Sequence, residues 1–282
     1  MIEDNIKQSH NIFDLSNRVI IITGALGLLG QKHVEIVADY GGIPIILDVD
    51  EKKVLLAAER VQQKYNVPAM GLKVDITNEK EIISSCIKII KCFGKIYGLV
   101  NNAANNPKVE DSKDINFSQL ENFPLKTWEQ DIAVGLTGAW LCAKHFGSEI
   151  AKNKNGGSIV NISSDLGLIG PDQRIYMEKG VSKDKRSVKP ITYSVVKSGL
   201  IGLTRYLATY WADKGVRCNA MCPGGVENNQ PEDFINLVSS RIPMGRLAKS
   251  DEYQGTLLWM LSDASSYLNG AIVPVDGGRT AW

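Results

Sequence analysis

No stretch of the chain approaches the roughly 18 consecutive apolar residues that a helix needs to cross a bilayer. A membrane-spanning protein is not expected. An excess of charge of one sign is missing too. Lysine plus arginine is 32 against 31 aspartate plus glutamate, so no overall field would draw nucleic acid or an acidic membrane surface. The five cysteines (Cys86, Cys92, Cys142, Cys218 and Cys222) form no metal-ligand pattern. They read as buried thiols in a reducing cytoplasm. The first ten residues are polar, carry Glu3 and Asp4, and show no apolar run behind a basic start. No secretory leader is expected there. Internal repeats, low-complexity tracts and linker compositions are absent as well, so residues 1–282 are expected to form one domain with a substantial core.

What is present is an alternation of short β-branched runs with helical patterns. Residues 18–23 read as a buried strand and lead into Gly24-Ala25-Leu26-Gly27-Leu28-Leu29-Gly30, with a helix to about Tyr40. Strand, glycine-rich turn and helix in that order suit a dinucleotide, because glycines let the backbone approach a pyrophosphate and helix N–H groups receive its charge. A strand over Ile43–Leu47 ends at Asp48, where a carboxylate can accept from an adenosine ribose and repel a 2′-phosphate. NAD is favoured on that ground, while Lys52 and Lys53 leave NADP open. Asp48 or Asp50 capping the helix from Glu51 is the structural alternative. Asp75 closes the next strand (Ala69–Val74) and could bond an adenine amino group, or Thr77 or Asn78 could simply cap the helix over 79–93.

The strand Tyr97–Val100 exits into the small, polar Asn101-Asn102-Ala103-Ala104. Residues 105–123 break the alternation as an irregular insert. Trp128, Ile132, Leu136, Trp140 and Phe146 then trace a long amphipathic helix, with its large apolar residues in the core or at a subunit contact. A fifth strand from Gly157 delivers Ser163 and Ser164, as turn-formers or as partners of a substrate oxygen. A second insert, 171–190, is rich in Lys and Arg. Within it Tyr176 and Lys179 lack helical periodicity and form a decoy pair. Tyr193 and Lys197 differ from them: they lie four apart on a segment whose Val196, Leu200, Leu203 and Leu207 make an apolar stripe. Residues so spaced share a helix face, where an ammonium favours a phenolate and makes Tyr193 a candidate general acid/base. A strand over Val216–Met221 ends in Pro223-Gly224-Gly225, a helix is expected from Ser250 to Leu261, and a last strand, Ala271–Val275, closes with Asp276-Gly277-Gly278. The alternation implies an α/β, doubly wound parallel sheet.

Together, Tyr193, Lys197, Ser164, the glycine turn, Asn101-Asn102-Ala103-Ala104, Pro223-Gly224 and Asp276-Gly277-Gly278 resemble a short-chain dehydrogenase/reductase from about Ser16 onward. The resemblance implies a Rossmann fold with seven strands in the order 3-2-1-4-5-6-7. It also implies a nicotinamide cofactor and hydride exchange with a carbonyl/secondary alcohol pair. By position, Tyr193 would be the acid/base, Lys197 would hold the nicotinamide ribose and lower the phenol's pKa, and Ser164 would stabilise the oxyanion. Gly24, Gly27 and Gly30 would receive the pyrophosphate, with Leu26 and Leu28 beside them. Asp48 would take the ribose and Asp75 and Ile76 the adenine. Asn102, Ala103, Pro223, Gly224 and Val226 would line the cofactor channel. A homodimer or homotetramer is implied, with the helices of Trp128 and Tyr193 as dimer faces and the Trp282 tail near another contact.

The chain departs from that family at four places. Gly27 has the spacing of the branch that modifies sugar nucleotides. Gly135 stands where an asparagine usually anchors a relay water. The stretch from Ser164 to Tyr193 is long, and Asn228 replaces a threonine that contacts the nicotinamide amide. The double-leucine turn and both inserts are also similar to reductases associated with flagellin or surface-glycan sugars. The insert's Arg174, Lys179, Lys183, Lys185, Arg186 and Lys189 would suit a phosphorylated or carboxylated sugar, although a solvated loop accounts for them as well. The expected activity is an NAD(P)-dependent oxidoreductase acting on a polar, sugar-like small molecule. A nucleotide-sugar epimerase or dehydratase and a non-enzymatic dinucleotide sensor are the rivals.

Overall fold

The short β-branched runs become the parallel strands of one sheet in the computed structural model, which describes residues 11–105, 117–176, 182 and 187–282. The strands are β1 (Val19–Thr23), β2 (Ile43–Asp48), β3 (Met70–Lys73), β4 (Gly98–Asn101), β5 (Gly157–Ile162), β6 (Val216–Pro223) and β7 (Ile272–Val275). Their spatial order is β3-β2-β1-β4-β5-β6-β7 with every pair parallel, which is the expected Rossmann arrangement.

Side chains alternate across a strand, so a sheet covered on both faces needs unbroken apolar runs. In β1, Val19 and Ile21 enter one core with Ile45, Leu99 and Phe146, while Ile20 and Ile22 enter the other with Ile46, Val100 and Leu257. Helices α1 (Leu28–Asp39), α2 (Glu51–Tyr65) and α9 (Gln254–Leu261) contribute to the second core. Helix α3 (Glu79–Phe93) and α7 (Ile191–Tyr210) contribute to the first. A short α8 (Glu232–Ser239) packs against the turn Gln173–Tyr176.

The long amphipathic helix differs from its expected form. It runs as α4 (Leu125–Ile132), a π-turn (Ala133–Thr137), α5 (Gly138–Cys142), a second π-turn (Ala143–Gly147) and α6 (Ser148–Ile150). Each π-turn shifts which residues face the sheet. Of the aromatic stripe only Phe146 reaches the core, and Trp140 stays about half exposed. The helix expected from Ser250 starts at Gln254 instead, after a turn. No helix among the described residues is long and apolar enough to cross a membrane.

Candidate active site

In a parallel sheet all carboxyl ends meet one rim, and the candidate residues leave the strands there. Gly24 has a backbone φ of +59°, and a β-carbon on it would lie 2.7 Å from Ala103 Cα. A side chain is excluded by both conformation and space. At Gly30 a β-carbon would lie 2.3 Å from Gly24 O, so this glycine lets α1 close onto the turn. Gly27 is the N-cap of α1 and gives it no side-chain hydrogen bond, whereas Asp50 caps α2 and Asn78 caps α3. A helix start with its N–H groups uncapped, flanked by the exposed Leu28 and half-buried Leu26, suits a pyrophosphate.

Asp50 takes the capping role, which leaves Asp48 for another. Asp48 Oδ2 accepts from Leu26 N at 3.0 Å and Oδ1 from Val49 N at 2.8 Å, tying the glycine turn to β2. Each oxygen keeps a lone pair for a ribose hydroxyl. Lys53, a cation that left NADP open, is ion-paired with Asp50 at 2.9 Å. Asp75 Oδ1 accepts from Thr77 N and Oγ1 at 2.9 and 2.7 Å. The Ile76 side chain is buried against Gly138, so its backbone alone can meet a nucleotide. Asn102 Nδ2 donates to Thr23 O and Gly24 O at 3.0 and 2.9 Å, and Ala103 N donates to Thr23 Oγ1 at 3.1 Å. These residues hold β1 and β4 together at their exits. On the other side of the rim Pro223 ends β6, Gly224 N donates to Val275 O, and Val226 bridges to Ala248.

The two serines after β5 part company. Ser163 Oγ turns under α7 and donates to Lys197 O at 2.7 Å. Ser164 Oγ donates to Asp165 Oδ1 at 2.8 Å and faces the Tyr193 phenol. Lys197, on the same helix, donates from Nζ to Ile162 O at 2.8 Å, with Nζ 5.7 Å from the Tyr193 ring centre. Ser164, Tyr193 and Lys197 thus come together at the rim. The expected depression of the phenol's pKa by Lys197 is not met in the protein alone. Burial pushes Tyr193 above the usual phenol range, Ser164 opposes, and Asp165 adds to the rise. Lys197 itself is pushed down to about 8, mainly by burial and further by repulsion from Lys189. Removing the phenolate from water outweighs an ammonium held at that separation.

Lys189 is the residue that spacing could not find. Its Nζ stands 3.8 Å over the Tyr193 ring centre, and burial pushes its pKa down to about 8. The solvated-loop account of the second insert therefore fails for this residue. Tyr176, set aside as half of a decoy pair, ends a short 3₁₀ turn beside the site. Burial raises its phenol to about 12, with Arg279 opposing and Tyr193 and Asp165 reinforcing. Its companion Lys179 lies outside the described residues, as do Lys183, Lys185 and Arg186. Arg174 pairs with Asp172, which also receives Arg241, so that guanidinium is engaged by the protein. Asp165 and Arg279 form an ion pair at 3.1 Å, both less than a tenth exposed. Among the described residues no cluster of His, Cys, Asp or Glu could hold a metal ion.

Residues 24–280 match the family model described as enoyl-(acyl carrier protein) reductase. An uncharacterized oxidoreductase of Thermotoga maritima is 31% identical over 278 residues, covering 95% of this chain and 99% of its own. The cis-4-hydroxycyclohexanecarboxylate dehydrogenase of Sinomonas cyclohexanicum is 30% identical over 270 residues, 94% of this chain and 98% of that one. The fold is shared with a gluconate 5-dehydrogenase from Burkholderia cenocepacia J2315, solved with NADP and tartrate. Its TM-score is 0.83 at 23% identity, over 96% of this chain and 98% of that one. With a family match across nearly its whole length and relatives named as dehydrogenases and reductases, the chain belongs to the short-chain dehydrogenase/reductase family, oxidoreductases that work on CH–OH groups with a nicotinamide dinucleotide.

Proposed function

We propose that this oxidoreductase interconverts a secondary alcohol and its ketone on a polar, sugar-like small molecule bearing a carboxylate, with NAD as the favoured cofactor. Held by the glycine turn, Asp48 and Lys197, the dinucleotide would supply the hydride acceptor for the alcohol carbon and the hydride donor for the ketone. The protein's residues handle the oxygen. Ser164 gives its one hydroxyl proton to Asp165 Oδ1 in the protein alone, and turns it to the substrate oxygen as negative charge gathers there. Tyr193 takes the hydroxyl proton in oxidation and gives it back in reduction. Lys197, fixed by Ile162 O, keeps N–H groups for the ribose next to the phenol. Gly24, Leu26, Gly27, Leu28 and Gly30 hold the pyrophosphate and Asp48 the adenosine ribose. Asp75, Ile76, Asn102, Ala103, Pro223, Gly224 and Val226 line the rest of the cofactor's course.

The substrate class rests on one observation, the Lys189 ammonium 3.8 Å above the catalytic ring. Among the described residues Lys189, Lys197 and Arg279 bring positive charge to the site, and Asp165 and Asp131 bring negative charge. A carboxylate on the substrate would be attracted to the lysine ammonium groups, and an uncharged polyol would not. The Sinomonas relative is named for a hydroxy acid, a substrate of that chemistry. The test is a panel of gluconate, tartrate, cis-4-hydroxycyclohexanecarboxylate and the uncharged polyol xylitol, each with NAD and with NADP, followed by reduced-cofactor absorbance. The hydroxy acids should turn over with NAD, and xylitol should be far poorer. Turnover of xylitol equal to that of the acids contradicts the substrate class, and no turnover of any member contradicts the proposed function.

A further inference from the structure

Gly135 sits where the rod α4–α5 meets α7, inside the π-turn, and has no space for a side chain: a β-carbon there would meet Val196 Cγ1 at 2.5 Å. A polar side chain for proton traffic cannot enter from this position. Four residues earlier Asp131 can supply one. It is only 4% exposed, and its Oδ2 accepts from Thr192 Oγ1 at 2.5 Å, which fastens it to the residue before Tyr193. Its Oδ1 is buried and has no hydrogen-bond partner among the described residues. Asp131, Gly135, Thr192, Tyr193 and Lys197 share the wall of one small cavity of about 10 Å³. That is room for about one water, and a buried water characteristically bonds polar atoms the protein leaves unpaired.

We propose that Asp131 is a positioning residue that holds a water in this cavity and so carries protons between the Tyr193–Lys197 pair and solvent. The inference rests on the acid/base reading of Tyr193. Each alcohol oxidised to a ketone releases one proton, which Tyr193 takes from the substrate hydroxyl. Before the next turnover the phenol must lose it. The proton passes by way of Lys197 to the water bonded to Asp131 Oδ1, and from there to solvent; reduction draws one inward by the same route. Lys197 has the donors for this, since Ile162 O occupies one N–H of three. Missing polar reach at Gly135 is thus made good from one turn away on the same rod.

Two measurements test the proposal. A crystal structure of the full chain with NAD should show an ordered water bonded to Asp131 Oδ1 beside Tyr193 and Lys197. A different occupant of Oδ1, or no ordered water there, overturns it. For kinetics, gluconate and cis-4-hydroxycyclohexanecarboxylate are oxidised with NAD by the wild type and by Asp131→Leu, Asp131→Asn and Tyr193→Phe. Asp131→Leu should lower kcat about 100-fold and raise the solvent deuterium isotope effect, with KM for NAD nearly unchanged. Asp131→Asn keeps a carbonyl oxygen for the water and should stay within about threefold of wild type. A purely structural Asp131 would change thermal stability and leave the isotope effect alone, and that result overturns the relay. Should Asp131→Leu fail to fold, an isotope effect unchanged in Thr192→Val, which unfastens the carboxylate, has the same force. Loss of turnover in Tyr193→Phe alongside wild-type behaviour in Asp131→Leu removes the relay and spares the acid/base reading; unaltered turnover in Tyr193→Phe, or none in the wild type, removes both.

Discussion

Two lysines flank one phenol, and each has been drawn down to about 8 by burial. An exposed lysine keeps its charge to about pH 10. Lys189 and Lys197 instead go from charged to neutral as the pH rises through about 8. Affinity for a carboxylate substrate should therefore fall across that window: KM for a hydroxy acid should rise about tenfold between pH 7 and pH 9, while KM for xylitol stays flat. Lys189→Met should raise the hydroxy-acid KM about tenfold at pH 7 and abolish most of its pH dependence, as initial rates on the two substrates will tell. His33 gives a residue-scale prediction about stability. It is fully buried, neither ring nitrogen has a partner among the described residues, and burial holds its pKa at about 3. Below pH 6.5 the unfolded chain takes up a proton that the folded one refuses, so stability is lost as the pH falls from 6.5 toward 3. Between pH 7 and pH 5 the loss should be about 2 kcal/mol, and thermal melts of His33→Leu should lack it. Tyr193 and Lys197 were legible because a helix repeat brings i and i+4 together. Lys189, Tyr176 and the Asp165–Arg279 pair were not, because only the folding of an irregular segment over the rim brings them to the phenol.

Among the elements, the strand–glycine turn–helix unit was the most legible, since its chemistry is local. The structure adds that Asp48 both faces the cofactor rim and accepts from Leu26 N, so the acidic residue also sets the turn's shape. Asp48→Ala should then cost NAD affinity more than loss of the ribose contact alone, and raise use of NADP relative to NAD, as cofactor titrations can show. Gly30→Ala forces a β-carbon onto the backbone at Gly24 and Ala25. It should destabilise the fold by about 1–3 kcal/mol and weaken NAD binding at least tenfold, measured by denaturant melts and cofactor titration. A stable Gly30→Ala protein with unchanged NAD affinity contradicts the reading of this turn. The rod α4–α6 was the least legible element. Apolar periodicity assumes a uniform helix, and the two π-turns turn Trp140 outward while bringing Gly135 and Gly138 inward.

At the scale of the molecule, the strand order follows from the alternation of strands and helices, because right-handed crossovers with helices on both faces leave few ways to lay down a parallel sheet. The remaining surface carries large apolar groups that the sheet does not use. Leu125 and Trp140 on the rod, and Tyr206 and Tyr210 on α7, are about half or more exposed, and so is Trp282 at the C-terminus. We infer that these faces join copies of the chain as a homodimer or homotetramer, and light scattering should give a multiple of 30.9 kDa. A mass of one chain at micromolar concentration contradicts that inference. The central claim is that the Tyr193 hydroxyl exchanges a proton with the substrate oxygen, beside the place where the dinucleotide would supply the hydride chemistry. The most direct measurement is NADH formation from the hydroxy-acid panel by wild type and Tyr193→Phe, with NAD binding followed in parallel. The account predicts a fall in kcat of about 100-fold to 10,000-fold with NAD affinity kept. Wild-type turnover in Tyr193→Phe contradicts it.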